Sequence, residues 1–434
     1  MACKADPCDE NEEVPTAKSI ITKILDLPPS CIEVSPLNPH LFIIGTYFLH
    51  PETDKGQYGD SETARTSTAG TLRSGSLILG SIGEQGTDVA FADHDLQSSA
   101  TSTTNRDKAQ SSRTVASLGI APFESFPTPY AVLDLHFSPH EPSTFAVATS
   151  TGAICLFLLD QTNGAHLVSL KAVQITDPSV LVLSLAFKPS SSILAVSLST
   201  GQIAIFDHKM PHTTLRMVEA HSLEAWMVAW SVLPGAGGAT VLYSGGDDSA
   251  LCRHGENLLL QNLQVDEDNP VENAYEPMSR DTKTHGAGVT AILPVPVSGA
   301  SDQELLLTGS YDEHIRLLEP ASTRRRSMVL AEKRLGGGVW RLKLLRKVDR
   351  TLGGGMRMIV LASCMHAGAR VLKISQSSEE AWTILIMTKF EEHESMNYAS
   401  DAYTQLDHDP ESLTVLSTSF YDEKLCVWST KDHD

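Results

Sequence analysis

The sequence holds no run of 18 apolar residues, so no stretch reads as a membrane-spanning helix. Cations are scarce: 33 Lys and Arg stand against 53 Asp and Glu, a formal charge of -20. Nucleic-acid binding needs clustered Lys and Arg to displace counterions, so that class is excluded, and the acidic balance fits a cationic partner or simply a solvated surface. Cysteines are few and odd in number, seven, scattered mainly through apolar runs such as "GAICLFLL" and "DEKLCVW", which excludes a secreted disulfide framework. Cys3 and Cys8 have no matching His or Cys pair, so no metal site is expected. The opening "MACKADPCDENEEVP" is acidic and lacks the apolar core of a signal peptide, which predicts a cytoplasmic chain without a membrane anchor. The G-x-x-x-x-G-K-[ST], G-x-G-x-x-G and G-x-S-x-G contexts are also missing, so nothing points to a nucleotide cradle or to the nucleophile elbow of an α/β-hydrolase.

What the chain has is repetition. "SYDEHIRLLEP" (310–320) and "SFYDEKLCVWS" (419–429) each place a polar turn before apolar residues that recur every two positions, the mark of a strand, a tight turn and a second strand. The pattern returns in "AVATSTGAICLFLL" (146–159), "LAVSLSTGQIAIFD" (194–207), "VLYSGGDDSALCRHG" (241–255) and "VLASCMHAGARVLKI" (360–374). By subtraction, the turn residues Gly152, Gly201, Asp248, Asp312, His366 and Asp422 are spaced 49, 47, 64, 54 and 56 positions apart. WD-type propeller blades run roughly 40 to 45 residues, so each unit is a blade with insertions. A short apolar strand precedes each unit: "VLDLHFSP", "VLSLAFKP", "WMVAWSVLP", "VTAILPVP", "VWRLKLL" and "SDAYTQLDHD". "CIEVSPLNPHLFIIGTY" (31–47) and "GSLILGSI" (75–82) supply a further unit at the front.

The expected architecture is all-β: a single seven-bladed WD-repeat β-propeller over residues 16–434, with a disordered tail at 1–15 and flexible polar insertions at 51–74, 84–118 and 259–284. "KSIITKIL" (18–25) has no blade of its own. It is expected to add the outer strand of the last blade and so close the ring.

Two loops of each such blade open on one face, and the loops that enter the inner strands are rich in polar and aromatic residues: "EAHSLEAW", "THGAGVT", "LGGGVWR" and "EEHESMNY". Their His residues have a structural use. His393, Ser417, Asp422 and Trp428 have the order of a buried hydrogen-bond chain, as do His221, Ser244 and Asp248, and His285, Thr308 and Asp312. Glu224, Trp226, Trp340, Arg341, Glu394, Ser395 and Tyr398 have no place in those chains and are candidates for a pocket. Gly336 to Gly338 would let backbone approach a ligand and present N–H groups to an oxyanion.

"GSYDEHIRLLE", "GGGVWRLK", "CMHAGARVLKI", "EEHESMNYASDA" and "STSFYDEKLCVW", in this order, resemble the diphthine methylesterase family of WD-repeat proteins, also named diphthine methyltransferase. The resemblance is strongest from about residue 220 onward, returns in "IIGTYFL", and departs in the long polar insertion of the first blade and the missing Trp of the middle blades. It implies a hydrolase of diphthamide biosynthesis that removes the methyl ester from methylated diphthine on translation elongation factor 2. The protein would be a monomer without a cofactor. On that reading His393, Glu394, Ser395 and Arg341 are the catalytic candidates, and Glu224, Trp226, Gly337, Gly338, Trp340 and Tyr398 would bind a substrate bearing a trimethylammonium. The alternative is a non-catalytic propeller scaffold that binds a protein partner.

Overall fold

The structure, a computed structural model, describes residues 14–51, 72–84, 118–121, 123–189, 191–211, 216–233, 241–255, 277–297, 304–320, 326–348, 355–377, 381–403 and 412–431. Their strands form seven sheets, the blades of a β-propeller. The inner strands are Pro29–Val34, Val132–Phe137, Val182–Phe187, Ala225–Trp230, Val289–Pro296, Arg341–Val348 and Ser400–Tyr403. The last six coincide with the short apolar strands that precede the repeated units in the sequence.

Alternation makes the ring. Successive side chains of a strand point to opposite faces, so each blade feeds two cores, one shared with each neighbour. In the first blade Ile43 packs toward the second blade, with Val132, Phe145 and Phe157. Phe42 and Ile44, its neighbours in sequence, pack toward the last blade with Leu416, Leu425 and Val427. In the sixth blade Val360 and Leu372 meet the fifth, and Ile359, Leu361 and Val371 meet the seventh. Buried Cys31, Cys155, Cys252, Cys364 and Cys426 are free thiols within this framework, and burial pushes Cys31, Cys252 and Cys364 up to about 12, so they pack as small apolar groups. Cys3 and Cys8 lie outside the described residues.

Closure is made by the N-terminal strand. Ser19–Ile24 pairs antiparallel with Lys424–Lys431, Ile21 opposite Val427 and Lys23 opposite Leu425. Leu25 follows it into the core between the seventh and first blades. Thr16–Ala17, just ahead, pairs in parallel with the end of Trp382–Phe390 in the sixth blade.

The tight turns share a conformation that explains part of the repeated "YDE". Gly152, Gly201 and Gly368 have φ of +67°, +86° and +76°, and the equivalent positions in the fourth, fifth and seventh blades are Ser249, Glu313 and Glu423 at +60°, +70° and +54°. The turn demands a left-handed residue, and at Gly201 a Cβ would also meet the His221 carbonyl at 2.3 Å.

Two outer strands lie where the sequence suggested none. Glu124–Thr128 is the fourth strand of the first blade, and Ser279–Asp281 that of the fourth, inside the stretch 259–284 read as an insertion. Most of 51–74, 84–118 and 259–284, and all of the tail but residues 14 and 15, fall outside the described residues.

Candidate functional site

The hydrogen-bond chains form, with differences between blades. In the fourth blade His221 Nδ1 lies 2.9 Å from Asp248 Oδ1, and its Nε2 lies 2.8 Å from Ser244 Oγ. His254 Nε2 sits 2.7 Å from the same hydroxyl, taking the place that Trp428 has in the seventh blade. Burial opposes the charge of Asp248, but the hydrogen bonds from His221 and the Ser222 amide outweigh it and hold the carboxyl far below its usual range. In the seventh blade His393 Nε2 lies 2.8 Å from Ser417 Oγ, which also accepts from Trp428 Nε1 at 3.0 Å.

The expected link from Asp422 to His393 is not made. Asp422 accepts instead from the Ser419 hydroxyl and from the Glu394 amide, and lies 3.3 Å from Lys424 Nζ, while His393 Nδ1 is buried without a partner. The fifth blade repeats this arrangement. His285 reaches Thr308 at 2.9 Å, and Asp312 turns to the Gly286 amide and to Arg316. In both blades a cation two or four residues after the turn aspartate, Lys424 or Arg316, lies against its carboxylate.

Burial pushes His393 and His285 down to about 4 and His254 to about 3. Unfolded histidine titrates near 6.5, so the stability these neutral rings supply is intact above that pH. It is lost as the pH falls from 6.5 towards 4, where the unfolded chain takes up protons that the folded chain does not. His393→Ala should therefore cost about 1 to 3 kcal/mol at pH 7 and make the fall of melting temperature between pH 6.5 and 4 shallower, measured by calorimetry across that window.

The other catalytic candidates do not converge. The Glu394 side chain is 78% exposed and paired with Lys424 at 2.6 Å. Ser395 Oγ accepts from the Tyr421 amide at 2.8 Å and contacts Ser419 Oγ at 3.2 Å, so it braces one loop against the next. Arg341 points into the central channel, 2.9 Å from Asp134 on the second blade. The glycine tract packs tightly: a Cβ on Gly337 would meet the Cys364 carbonyl at 2.2 Å and one on Gly338 the Met365 sulfur at 2.6 Å, reasons of packing for both glycines.

The channel itself has a cavity of about 320 Å³ lined by Asp134, His136, Glu33, Arg341 and Lys343 among others. Burial opposes the charge on His136, but Asp134 and Glu33 outweigh it and raise its pKa to about 10. Burial likewise opposes the charge of Asp134, which Arg341 and His136 overcome, holding it below the usual range. Lys343 pairs with Asp401. These charges answer one another across the ring.

At the mouth of the channel the substrate-binding candidates do meet. Trp340 lies 5.5 Å from Trp226 and 5.1 Å from Tyr398 between ring centroids. Tyr311, the tyrosine of the first "YDE", completes the group at 6.1 Å from Trp226 and 5.9 Å from Trp340. All four rings are half-buried. Backbone bonds fix them: Trp340 N donates to Ser363 O, Tyr311 N to Gly288 O, and buried Asn397, next to Tyr398, ties its own loop to the carbonyls of Ala399 and Thr418.

Asp247 borders this cage and accepts from the Trp226 indole at 3.0 Å, while its amide donates to the Glu224 carbonyl. Burial raises the Tyr311 phenol, and Asp247, Tyr398 and Glu224 raise it further, so it stays neutral beside the two carboxylates. Sequence reasoning missed Tyr311 and Asp247. Each adjoins a turn aspartate already spoken for, and the double Asp of "GGDDS" was the available signal.

Aromatic faces edged by carboxylates suit a cation that cannot shed its charge, and they stand here at the channel mouth of a WD-repeat propeller. That defines the class: a seven-bladed propeller whose loop face gathers four aromatic rings beside carboxylates at the channel mouth. Among solved structures, a chain from the crystal structure of the mitotic checkpoint complex matches with a TM-score of 0.56 at 13% identity, covering 100% of this chain and 97% of that one, which speaks for the fold alone. No protein-family model matches. The diphthine methyltransferase of Schizosaccharomyces pombe is 34% identical over 300 residues, 69% of this chain and 78% of its own length. That of Mus musculus is 29% identical over 70% of this chain, and that of Homo sapiens 28% over 62%; the matches cover 58% and 55% of those two proteins. The chain belongs to the diphthine methyltransferase family.

Proposed function

We propose that this protein acts in diphthamide biosynthesis as a carboxylic ester hydrolase, cleaving the methyl ester of methylated diphthine on translation elongation factor 2 to diphthine and methanol. The observation that carries the reading is the cage of Trp226, Tyr311, Trp340 and Tyr398 with Asp247 at its edge, because diphthine bears a fixed trimethylammonium. Each ring face contributes roughly 0.5 to 2 kcal/mol to such a contact, and the carboxylates of Asp247 and Glu224 add charge attraction. The ester carbonyl, one carbon from the ammonium, then lies at the cage edge, where Asp247 takes a proton from the attacking water. Water adds to the carbonyl carbon, the C–O bond to the methoxy group breaks, and methanol leaves with the proton. The enzyme would work as a cytoplasmic monomer on the factor.

The test is to incubate the purified protein with methylated elongation factor 2 and measure methanol by gas chromatography alongside the mass of the modified histidine. Loss of one methyl group with matching methanol is expected. Gain of a methyl group from an added donor would reverse the direction, and tight binding without any mass change would favour a scaffold.

A further inference from the structure

The aromatic group does not end at the cage. Tyr398 contacts Phe420 at 5.4 Å, and Phe420 contacts Tyr421 at 5.0 Å and Tyr47 at 6.1 Å, so the ribbon of rings crosses from the fourth blade to the first. A quaternary ammonium held at Trp340 cannot touch these last three rings, which lie two or more ring spacings away. Tyr421 is nonetheless 71% exposed, and it is the tyrosine of the second "YDE". Beyond Tyr47 the described residues form the base of a hairpin, Phe48–Leu49 pairing antiparallel with the start of Arg73–Glu84, which displays Leu49 at 49% and Leu72 at 61% exposure.

This hairpin is braced. His50 N donates to Leu72 O at 3.0 Å, His50 Nε2 lies 2.8 Å from Ser74 Oγ, and Arg73 Nε donates to the Tyr47 hydroxyl at 2.7 Å. A braced hairpin that holds apolar side chains out at the rim, continuous with an aromatic ribbon, is a surface prepared for contact.

We infer that the rim from Phe420 and Tyr421 to the Tyr47–Leu49 hairpin docks the polypeptide that carries the modified side chain, presented as apolar residues beside the modified histidine. The inference rests on the functional reading above. A side chain gripped at its ammonium tip leaves its backbone a side-chain length away. Among the described residues the ribbon continues towards the seventh and first blades, while at its other end the Trp226 indole donates to Asp247. A small free ammonium compound would need the cage and nothing more.

The experiment uses two probes, intact methylated elongation factor 2 and the methyl ester of trimethylglycine, with wild-type protein and the double variant Tyr421→Ser, Leu49→Ser. Binding is read by calorimetry and turnover by methanol release. The double variant should bind the factor at least tenfold more weakly, seen as a raised KM, and handle the small ester within twofold of wild type. Equal loss on both probes would place these residues in the cage and overturn the inference. Unchanged factor affinity would overturn it too, with the hydrolase reading intact if wild type releases methanol. Wild type that binds the factor but hydrolyses neither probe would sink the hydrolase reading, and selective loss of factor binding by the variant would still support the docking surface.

Discussion

Deleting residues 1–27 should lower the melting temperature by roughly 10 °C and leave the protein prone to aggregate, whereas deleting residues 1–15 should leave it nearly unchanged. The longer truncation removes Ser19–Ile24 from the seventh blade and Leu25 from the core between the last and first blades. It also removes the backbone bond from Leu25 N to Glu423 O and the grip of Ser19 on Glu392. A buried leucine alone is worth about 2 to 5 kcal/mol. The ladder along Lys424–Lys431 would be left as an open edge bearing Leu425, Val427 and Trp428, an invitation to pair with another chain. The shorter truncation removes a single described backbone bond, Lys389 N to Pro15 O. Scanning calorimetry with light scattering compares the two. Superimposable melting curves would mean that the propeller does not depend on its N-terminal clasp.

The clasp was legible because "KSIITKIL" is an apolar strand with no partner nearby, and a ring has one place for such a strand. The inner strands were legible for a related reason: each is an apolar run, and the tight turns that follow recur in the same chemical form. The outer strands were not. "SRD" at 279–281 and "ESFPT" at 124–128 face solvent on one side and have no apolar alternation to show. The blade locks were half legible. Order and spacing placed His393, Ser417 and Trp428 together, but no spacing could say that Lys424 and the Glu394 amide would claim Asp422. Arg341 lies apart from the cage that its neighbour Trp340 reaches. On an inner strand the next residue but one shares a face, so Arg341 and Lys343 both look into the channel, where Asp134 and Asp401 receive them.

Asp247→Asn should reduce turnover of the methyl ester by about a hundredfold with little change in melting temperature, since proton removal by a placed carboxylate is worth at least that much. The amide keeps the shape and can still accept from the Trp226 indole through its oxygen, so the cage should stand. What it loses is the carboxylate proposed as the base. The comparison that assigns the role is Trp340→Leu, which removes the ring touching Trp226, Tyr311 and Tyr398 together. Losing one ring face, worth roughly 0.5 to 2 kcal/mol to an ammonium, should raise KM for the ammonium ester by about two- to thirtyfold and change kcat less. An uncharged analogue with a tert-butyl group in place of the trimethylammonium should lose its disadvantage against that variant. If Asp247→Asn raises KM as Trp340→Leu does and spares kcat, Asp247 serves as the counter-charge of the ammonium, and either Glu224 is the base or the Ser395 hydroxyl attacks the ester in place of water. Ser395→Ala is the control that separates those two. Its hydroxyl accepts from the Tyr421 amide and contacts Ser419, whose hydroxyl donates to Asp422. A loop brace would show in stability alone, and a nucleophile would show as turnover abolished in a protein that melts as before.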